Sequence, residues 1–399
     1  MWVEAPSARG WLDLCSRRGG RRDRVIHRIG RALLAVVVLG LIAAACGPPT
    51  APPLGRPALR QTPAAPRVFD NSDPAVLVDG GAVYLFGSTN NRWVPVRRIT
   101  SFGATLAQSQ QQWAQSPRDA MPALPAWVDP AERQIWAPTL IKLGSKYVMW
   151  FAAAHAGARD EANDQCIGRA EATTVTGPYI PASAPMYCGL PPEGAGGGLP
   201  ASNPWGRGAL DPQVLRGADG NLYLVVALSR TGANIGGLRL DSLGRVIGGA
   251  NATPSTLASQ AYPWHDGTDD GTMGSGAFLE NPTMIYEPAT RTYLLFYSAG
   301  QWYSSRYVTG FGRCATPIGP CRLDSRGPML MSGNGRSGVG GLTAFRDVNG
   351  TTLRVAYASW QAGREGQSGS VGEYSRQTHW GTIALSAGSD PSTQSVAIA

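Results

Sequence analysis

Residues 70–90 read DNSDPAVLVDGGAVYLFGSTN: an Asp-Pro step, a short apolar run, a Gly-Gly turn and an aromatic–aliphatic strand ending in small polar residues. Two such runs around a two-glycine turn spell a β-hairpin. The plan recurs four more times. It appears as WAPTLIKLGSKYVMWFA from Trp136, LDPQVLRGADGNLYLVVA from Leu210, ENPTMIYEPATRTYLLFYS from Glu280 and VGGLTAFRDVNGTTLRVAYAS from Val339. The hairpin turns fall at Gly80-Gly81, Gly144-Ser145, Asp219-Gly220, Pro288-Ala289 and Asn349-Gly350. Pro74, Pro138, Pro212 and Pro282 follow one another at intervals of 64, 74 and 70 residues.

Five repeats of that length, built of short strands with no sustained 3.6-residue apolar period, predict an all-β five-bladed β-propeller forming a single domain. A β-helix would need a much shorter period, and a sandwich would not repeat the X-Pro step. In a propeller the innermost strand of each blade starts near one mouth of the axial channel. The X-Pro steps sit at those starts, so their side chains are expected to converge on one pocket. The residues before the prolines are Asp73, Ala137 (after Trp136), Asp211 and Asn281 (after Glu280). Three carboxylates on three blades, Asp73, Asp211 and Glu280, are thus expected at equivalent places. One Asp before Pro is ordinary turn chemistry; a set of three points to function.

These phrases together resemble glycoside hydrolase family 43, over most of the chain after about Val68. VFDNSDPAVLVDGGAVYLFGSTN is similar to that family's first blade and IWAPTLIKLGSKYVMWFAA to its second. LDPQVLRGADGNLYLV and LENPTMIYEPATRTYLLFYS are similar to its third and fourth. QCIGRAEATTVTGPYIP with Cys188 looks like the disulfide-bearing stretch of secreted members. The resemblance implies an inverting hydrolase of furanosides and xylosides, with Asp73 as general base, Glu280 as general acid and Asp211 orienting the acid and tuning its pKa. That division suits the chemistry. An inverting glycosidase needs an ionised carboxylate to activate water and a protonated one for the leaving oxygen. A neighbouring anion and desolvation both raise the acid's pKa.

Sugar rings stack on aromatic side chains, and Trp136, Trp93 and Trp302 are the candidates for subsite walls, with Asn281 narrowing the pocket. The family often carries a His in the Gly-rich stretch opening the last blade, near an axial ion or water. Here SGNGRSGVGG offers Arg336, so no cofactor is expected to be required; His379 reads first as a hydrogen-bonded core residue, and a structural calcium with His379 as the candidate metal ligand is the alternative. Asp70 and Asp79 read as turn caps, Asp219 as hairpin chemistry, and Asp266, Asp269 and Asp270 as a Gly-rich loop.

Residues 1–31 hold eight Arg and three acids, and the 14-residue apolar run Ala32–Ala45 precedes Cys46. A membrane span needs about 20 residues, so residues 1–45 read as an export signal. The Cys after small residues resembles a lipoprotein lipobox, which makes Cys46 the expected lipidation site and a membrane anchor; simple secretion is the alternative. Residues 46–66 are a Pro-rich tether, and 67–399 the propeller. The signal accounts for +5 of the chain's +8, leaving +3, which gives no electrostatic case for nucleic acid. Cys166, Cys188, Cys314 and Cys321 remain for an oxidising compartment. Three pairings are open, and the local ones, Cys166–Cys188 and Cys314–Cys321, are preferred.

The expected protein is an exported, monomeric hydrolase of furanosidic or xylosidic linkages, arabinan foremost. The first phrase lacks the Asn that normally precedes Asp-Pro in fructan-active propellers. The alternative of another class is a non-catalytic carbohydrate-binding propeller lipoprotein of the cell envelope.

Overall fold

Each expected blade is a separate antiparallel sheet. In chain order, β1 (Arg67–Phe69) precedes blade I, formed by β2 (Ala75–Asp79), β3 (Ala82–Phe86), β4 (Pro95–Ile99) and β5 (Arg118–Asp119). Blade II is β6 (Trp136–Leu143), β7 (Lys146–Ala154), β8 (Gln165–Ala172) and β9 (Ile180–Pro181). Blade III is β10 (Ala209–Arg216), β11 (Leu222–Leu228), β12 (Asn234–Leu240) and β13 (Ser255–Ala258). Blade IV is β14 (Leu279–Glu287), β15 (Thr292–Ala299), β16 (Val308–Cys314) and β17 (Cys321–Leu323). Blade V is β18 (Arg336–Arg346), β19 (Leu353–Gln361) and β20 (Gln377–Leu385), completed by β1 and by β21 (Val396–Ile398), both paired to β20.

The computed structural model describes residues 67–69, 72–89, 93–99, 102, 118–130, 133–156, 165–189, 208–228, 234–266, 278–366, 376–386 and 396–398. The export signal, the tether with Cys46, and Asp70, Asp269 and Asp270 lie outside them.

The second strand of each blade is apolar on both faces, as in KYVMWFAAA, LYLVVAL and TYLLFYSA, because each face packs against a different neighbour. The buried residues accordingly gather at the seams. One cluster fills blades I and II around Phe86, Trp127 and Phe151, another II and III around Trp150 and Leu224. Further clusters join III to IV around Val225 and Tyr297, IV to V around Phe296 and Tyr357, and V to I around Leu85, Phe345 and Trp380. The ring is therefore apolar all the way round. Asp79, read from the sequence as a turn cap, instead crosses the first seam. It accepts Tyr147 Oη at 2.6 Å and Lys142 Nζ at 3.0 Å, because the side chain at that strand end reaches blade II before its own turn. Asp219 does stay within its hairpin, holding Asn221 and Tyr223 Oη.

The two disulfides are the local ones. Cys166–Cys188 encloses a separation of 22 residues, and Cys314–Cys321 encloses 7 while joining directly opposed residues of β16 and β17. Cross-links restrict the unfolded chain more as the loop lengthens, about 3 kcal/mol for the longer and about 2 kcal/mol for the shorter. Replacing Cys166 and Cys188 by Ala is therefore expected to lower unfolding free energy in urea by about 1 kcal/mol more than replacing Cys314 and Cys321.

Candidate active site

The innermost strands all enter the channel through one backbone device. Asp73, Ala137, Asp211, Asn281 and Gly341 each take a left-handed φ, 49°, 42°, 51°, 45° and 60°. In blades II to V this residue lies in a β-bulge, where register shifts between Trp136 and Thr139, Leu210 and Gln213, Glu280 and Thr283, and Gly340 and Thr343. A bulge bends the strand and re-aims its side chains. Asp and Asn tolerate the left-handed region better than most residues. The fifth blade uses glycine there and Leu342 in place of proline. These five positions line a channel cavity of about 160 Å³ with Pro74, Pro138, Pro212, Thr139, Gln213 and Thr343.

The register corrects one expectation. Asp73 and Asp211 are equivalent, but Glu280 lies one residue earlier in its strand, at the place Trp136 holds in blade II. Both precede the left-handed residue and pair with β7 or β15 in the same way, Trp136 with Ala152 and Glu280 with Ser298. Two acids therefore occupy the left-handed position, Asp73 and Asp211, and the third is the residue just before it.

Hydrogen bonds tie the three together. Ser88 Oγ donates to Asp73 Oδ2 at 2.6 Å, and Asn281 Nδ2 donates to Asp73 Oδ1 at 3.2 Å. Asp211 Oδ2 accepts the backbone N–H of Asn281 at 2.9 Å, fixing the backbone that carries Glu280. Tyr307 Oη stands 2.6 Å from both Glu280 Oε1 and Asn281 Oδ1. Two serines stitch neighbouring blades, Ser88 Oγ accepting Ala137 N–H and Ser298 Oγ accepting Gly341 N–H, each at 2.9 Å. A Cβ on Gly341 would stand 3.1 Å from Asp73 Oδ1, so this glycine leaves room for the carboxylate.

Burial dominates the electrostatics. Desolvation raises Glu280 from 4.5 to about 7, opposed by the Tyr307 hydrogen bond, helped by the charge on Asp73 and opposed again by Arg376. Asp211 is buried and raised well above the ordinary Asp value by desolvation and then by the charges of Glu280 and Asp73. Asp73 is also raised by desolvation, opposed by the Ser88 hydrogen bond, the Arg376 charge and Asn281. Arg376 is buried; its guanidinium lies 4.9 Å from the Tyr307 ring centroid, and it donates to Trp302 O at 3.0 Å and Ala358 O at 2.9 Å. An arginine does not deprotonate, so it supplies a fixed positive charge near Asp73 and Glu280.

Of the aromatic candidates, Trp302 is 49% exposed, with one face stacked on Trp360 at 5.9 Å and its carbonyl held by Arg376. Trp136 is half-buried with its indole N–H on Gln134, and Trp93 packs partly buried on the seam of blades I and II. His379 sits on the third strand of blade V, hydrogen-bonded to Ser359 Oγ at 3.0 Å and stacked on Tyr357. The channel lining offers hydroxyl and amide groups at Thr139, Gln213 and Thr343. Among the described residues, no three His, Cys, Asp or Glu gather in a way that holds an ion.

Sequence reasoning missed Arg376, Tyr307, Ser88, Ser298 and Gly341. Only Gly341 left a signal, as the residue aligned with Asp73 and Asp211 in the fifth repeat. The others reach the site from second strands or connections that no repeat position marks.

A family model, Glycosyl hydrolases family 43, matches residues 67–383. The extracellular endo-α-(1→5)-L-arabinanase of Thermotoga petrophila is 27% identical over 271 residues, 62% of this chain and 50% of that protein. The chain thus spans about half the length of that relative. A solved thermostable family-43 glycoside hydrolase superposes with a TM-score of 0.61 at 18% identity, covering 84% of this chain and 95% of that one. The α-L-arabinofuranosidase of Lactobacillus brevis gives 0.59 at 18% identity, covering 80% and 92%.

A carboxyl whose folded pKa is raised contributes stability that is whole below its unfolded value and lost as pH rises through the folded one. For Glu280 that window runs from 4.5 to about 7. Glu280→Gln is expected to gain about 3 kcal/mol on wild type between pH 4 and pH 8, read as the change in the stability difference from urea unfolding at the two pH values.

Proposed function

The chain belongs to glycosyl hydrolases family 43, and from that premise we propose that it is an inverting hydrolase of furanosidic or xylosidic linkages in polysaccharide, arabinan foremost. One observation carries the reading: carboxylates from three blades lie close enough to interact, Asp73 and Asp211 lining the channel and Glu280 next to Asn281 beside them, with Glu280 raised to about 7 while Ser88, Asn281 and Arg376 support the anion of Asp73. Asp73 takes a proton from water as the water oxygen bonds the anomeric carbon. Glu280 gives its proton to the departing glycosidic oxygen as the old bond breaks. Environments that separate two acids in this way mark the acid and the base. Asp211 holds the Asn281 N–H, and it is itself raised by the neighbouring charges of Glu280 and Asp73. Every step uses the chain's own carboxylates and water.

The arabinan preference is supported by the named activities of the Thermotoga petrophila and Lactobacillus brevis relatives. Trp302, half-exposed and backed by Trp360, suits a sugar-stacking wall. Trp136, beside the bulge of blade II, and Trp93 are the further candidates. We also propose export and lipidation at Cys46, from the apolar run and the Cys that follows it.

Turnover is to be measured on linear α-1,5-arabinan and on aryl α-L-arabinofuranoside, β-D-xyloside and β-D-galactofuranoside. Glu280→Gln is expected to lower the rate on arabinan about 10²–10⁴-fold, the usual worth of a general acid. An aryl substrate, whose leaving group needs little protonation, should lose less. Proton NMR of the first-formed product should show inverted configuration. Full activity in Glu280→Gln, or retention, sinks the mechanism, and saturable polysaccharide binding without turnover replaces it with a binding propeller. Labelled palmitate should enter the exported protein and fail to enter a Cys46→Ala variant.

A further inference from the structure

Tyr307 touches the proposed acid, yet the two-carboxylate scheme gives it no task. Its oxygen lies 2.6 Å from Glu280 Oε1 and 2.6 Å from Asn281 Oδ1. A phenol carries one proton, so it can donate to only one of them. Its neighbours decide which. Asn281 Nδ2 donates to Asp73 Oδ1 at 3.2 Å, which turns the amide oxygen toward Tyr307, and an amide oxygen only accepts. Ser298 Oγ accepts the Gly341 N–H and also hydrogen-bonds Tyr307, so its own proton is free to point at the phenol oxygen. The ring cannot retreat from this contact, since Gly340 and Ser298 lie against it; a Cβ on Gly340 would stand 2.2 Å from Tyr307 Cε1. An ionised Glu280 would take the phenol proton and be lowered by it; with Glu280 protonated, the phenol proton serves Asn281 and the short contact is met by the acid's own proton.

We propose that Tyr307 is the positioning residue of the acid: its oxygen accepts the O–H of Glu280 and holds the protonated form, while its own proton passes orientation through Asn281 to Asp73. The proposal rests on the reading of Glu280 as general acid. The directed chain runs from Gly341 N–H through Ser298, Tyr307 and Asn281 to Asp73. Asp73 also receives the Ser88 O–H and is left as a pure acceptor. One set of hydrogen bonds thus allots a proton to Glu280 and none to Asp73 before substrate arrives. The charged groups facing this chain are Asp73, which disfavours ionisation of Glu280, and Arg376 against the Tyr307 ring, which favours it; Asp211 is itself raised by Glu280 and Asp73.

The sign of one shift tests it. An acceptor for the acid's O–H stabilises the neutral form, whereas a phenol donating to the carboxylate would stabilise the anion. The protonated-carboxyl C=O band of Glu280 is isolated by infrared difference between wild type and Glu280→Gln, and its titration midpoint is followed in the absence of substrate. Tyr307→Phe is expected to move that midpoint down by about one pH unit, the scale of one hydrogen bond. Asn281→Ala should also move it down, because the released phenol proton turns to the carboxylate. Ala already stands at the equivalent place in blade II as Ala137, so this variant serves if Tyr307→Phe does not fold. The alkaline limb of kcat/KM should follow the same shift. A rise in the midpoint with Tyr307→Phe, or no movement in either variant, overturns the proposal. Full turnover in Glu280→Gln would overturn the acid assignment instead, while the infrared sign still decides what Tyr307 does.

Discussion

A left-handed residue at the head of every inner strand is the constraint on which the rest depends. It costs backbone energy at four non-glycine positions, roughly 1 kcal/mol each and less for Asp and Asn. In return the strand bulges, and the side chain at that place turns into the channel instead of lying along the sheet. Neighbouring blades then secure the exposed N–H of three such residues, Ala137 by Ser88, Asn281 by Asp211 and Gly341 by Ser298. Assembly of the ring and construction of the site are thus one set of hydrogen bonds. A blade displaced from its neighbour would lose both at once.

Burying three acids together opposes folding, and the site shows how that cost is contained. Asp211 is the most buried and the most strongly raised. Asp73 receives two donors, and a buried Arg376 lies near enough to favour its charge. Arg376 owes its position to backbone carbonyls of Trp302 and Ala358 on two different blades. Its charge is therefore held in place by the connection after β15 and by β19. The seams between blades are filled chiefly by apolar side chains, with polar ties such as Asp79 to Tyr147 and Lys142 at their ends, while the buried acids are gathered at the centre.

The repeat made the architecture legible. Alternating strands, glycine turns and recurring prolines are local features, and each blade is a local unit, so the sheets were readable from the chain alone. Asp73 and Asp211 were readable for the same reason, as occupants of a repeat position. Glu280 was legible beside Asn281, two residues before Pro282; the bulge that sets this offset in the strand was not, because it leaves no mark on spacing. Tyr307, Ser298 and Arg376 were invisible for a different reason. They enter by three-dimensional proximity from β15, the start of β16 and the approach to β20, where nothing in the repeat distinguishes them from core residues. Asp79 misled because a turn-capping position and a seam-crossing one share the same sequence phrase.

Blade V is shut from both sides of the chain: β1 pairs with β20 at Thr378 and His379, and β21 pairs with it at Ile383 to Leu385. Arg67 thus waits about 300 residues for its partner, a contact of very high sequence separation. During synthesis or passage through a membrane, blades I to IV can form one by one while the first strand stays unplaced. Until blade V arrives, the circle remains an arc whose end blades, IV and I, expose the apolar faces that blade V covers, a surface prone to wrong association. The earliest segment of the propeller is thus the last to become native, and any process that stalls the chain before blade V leaves a body with most of its core and no closure.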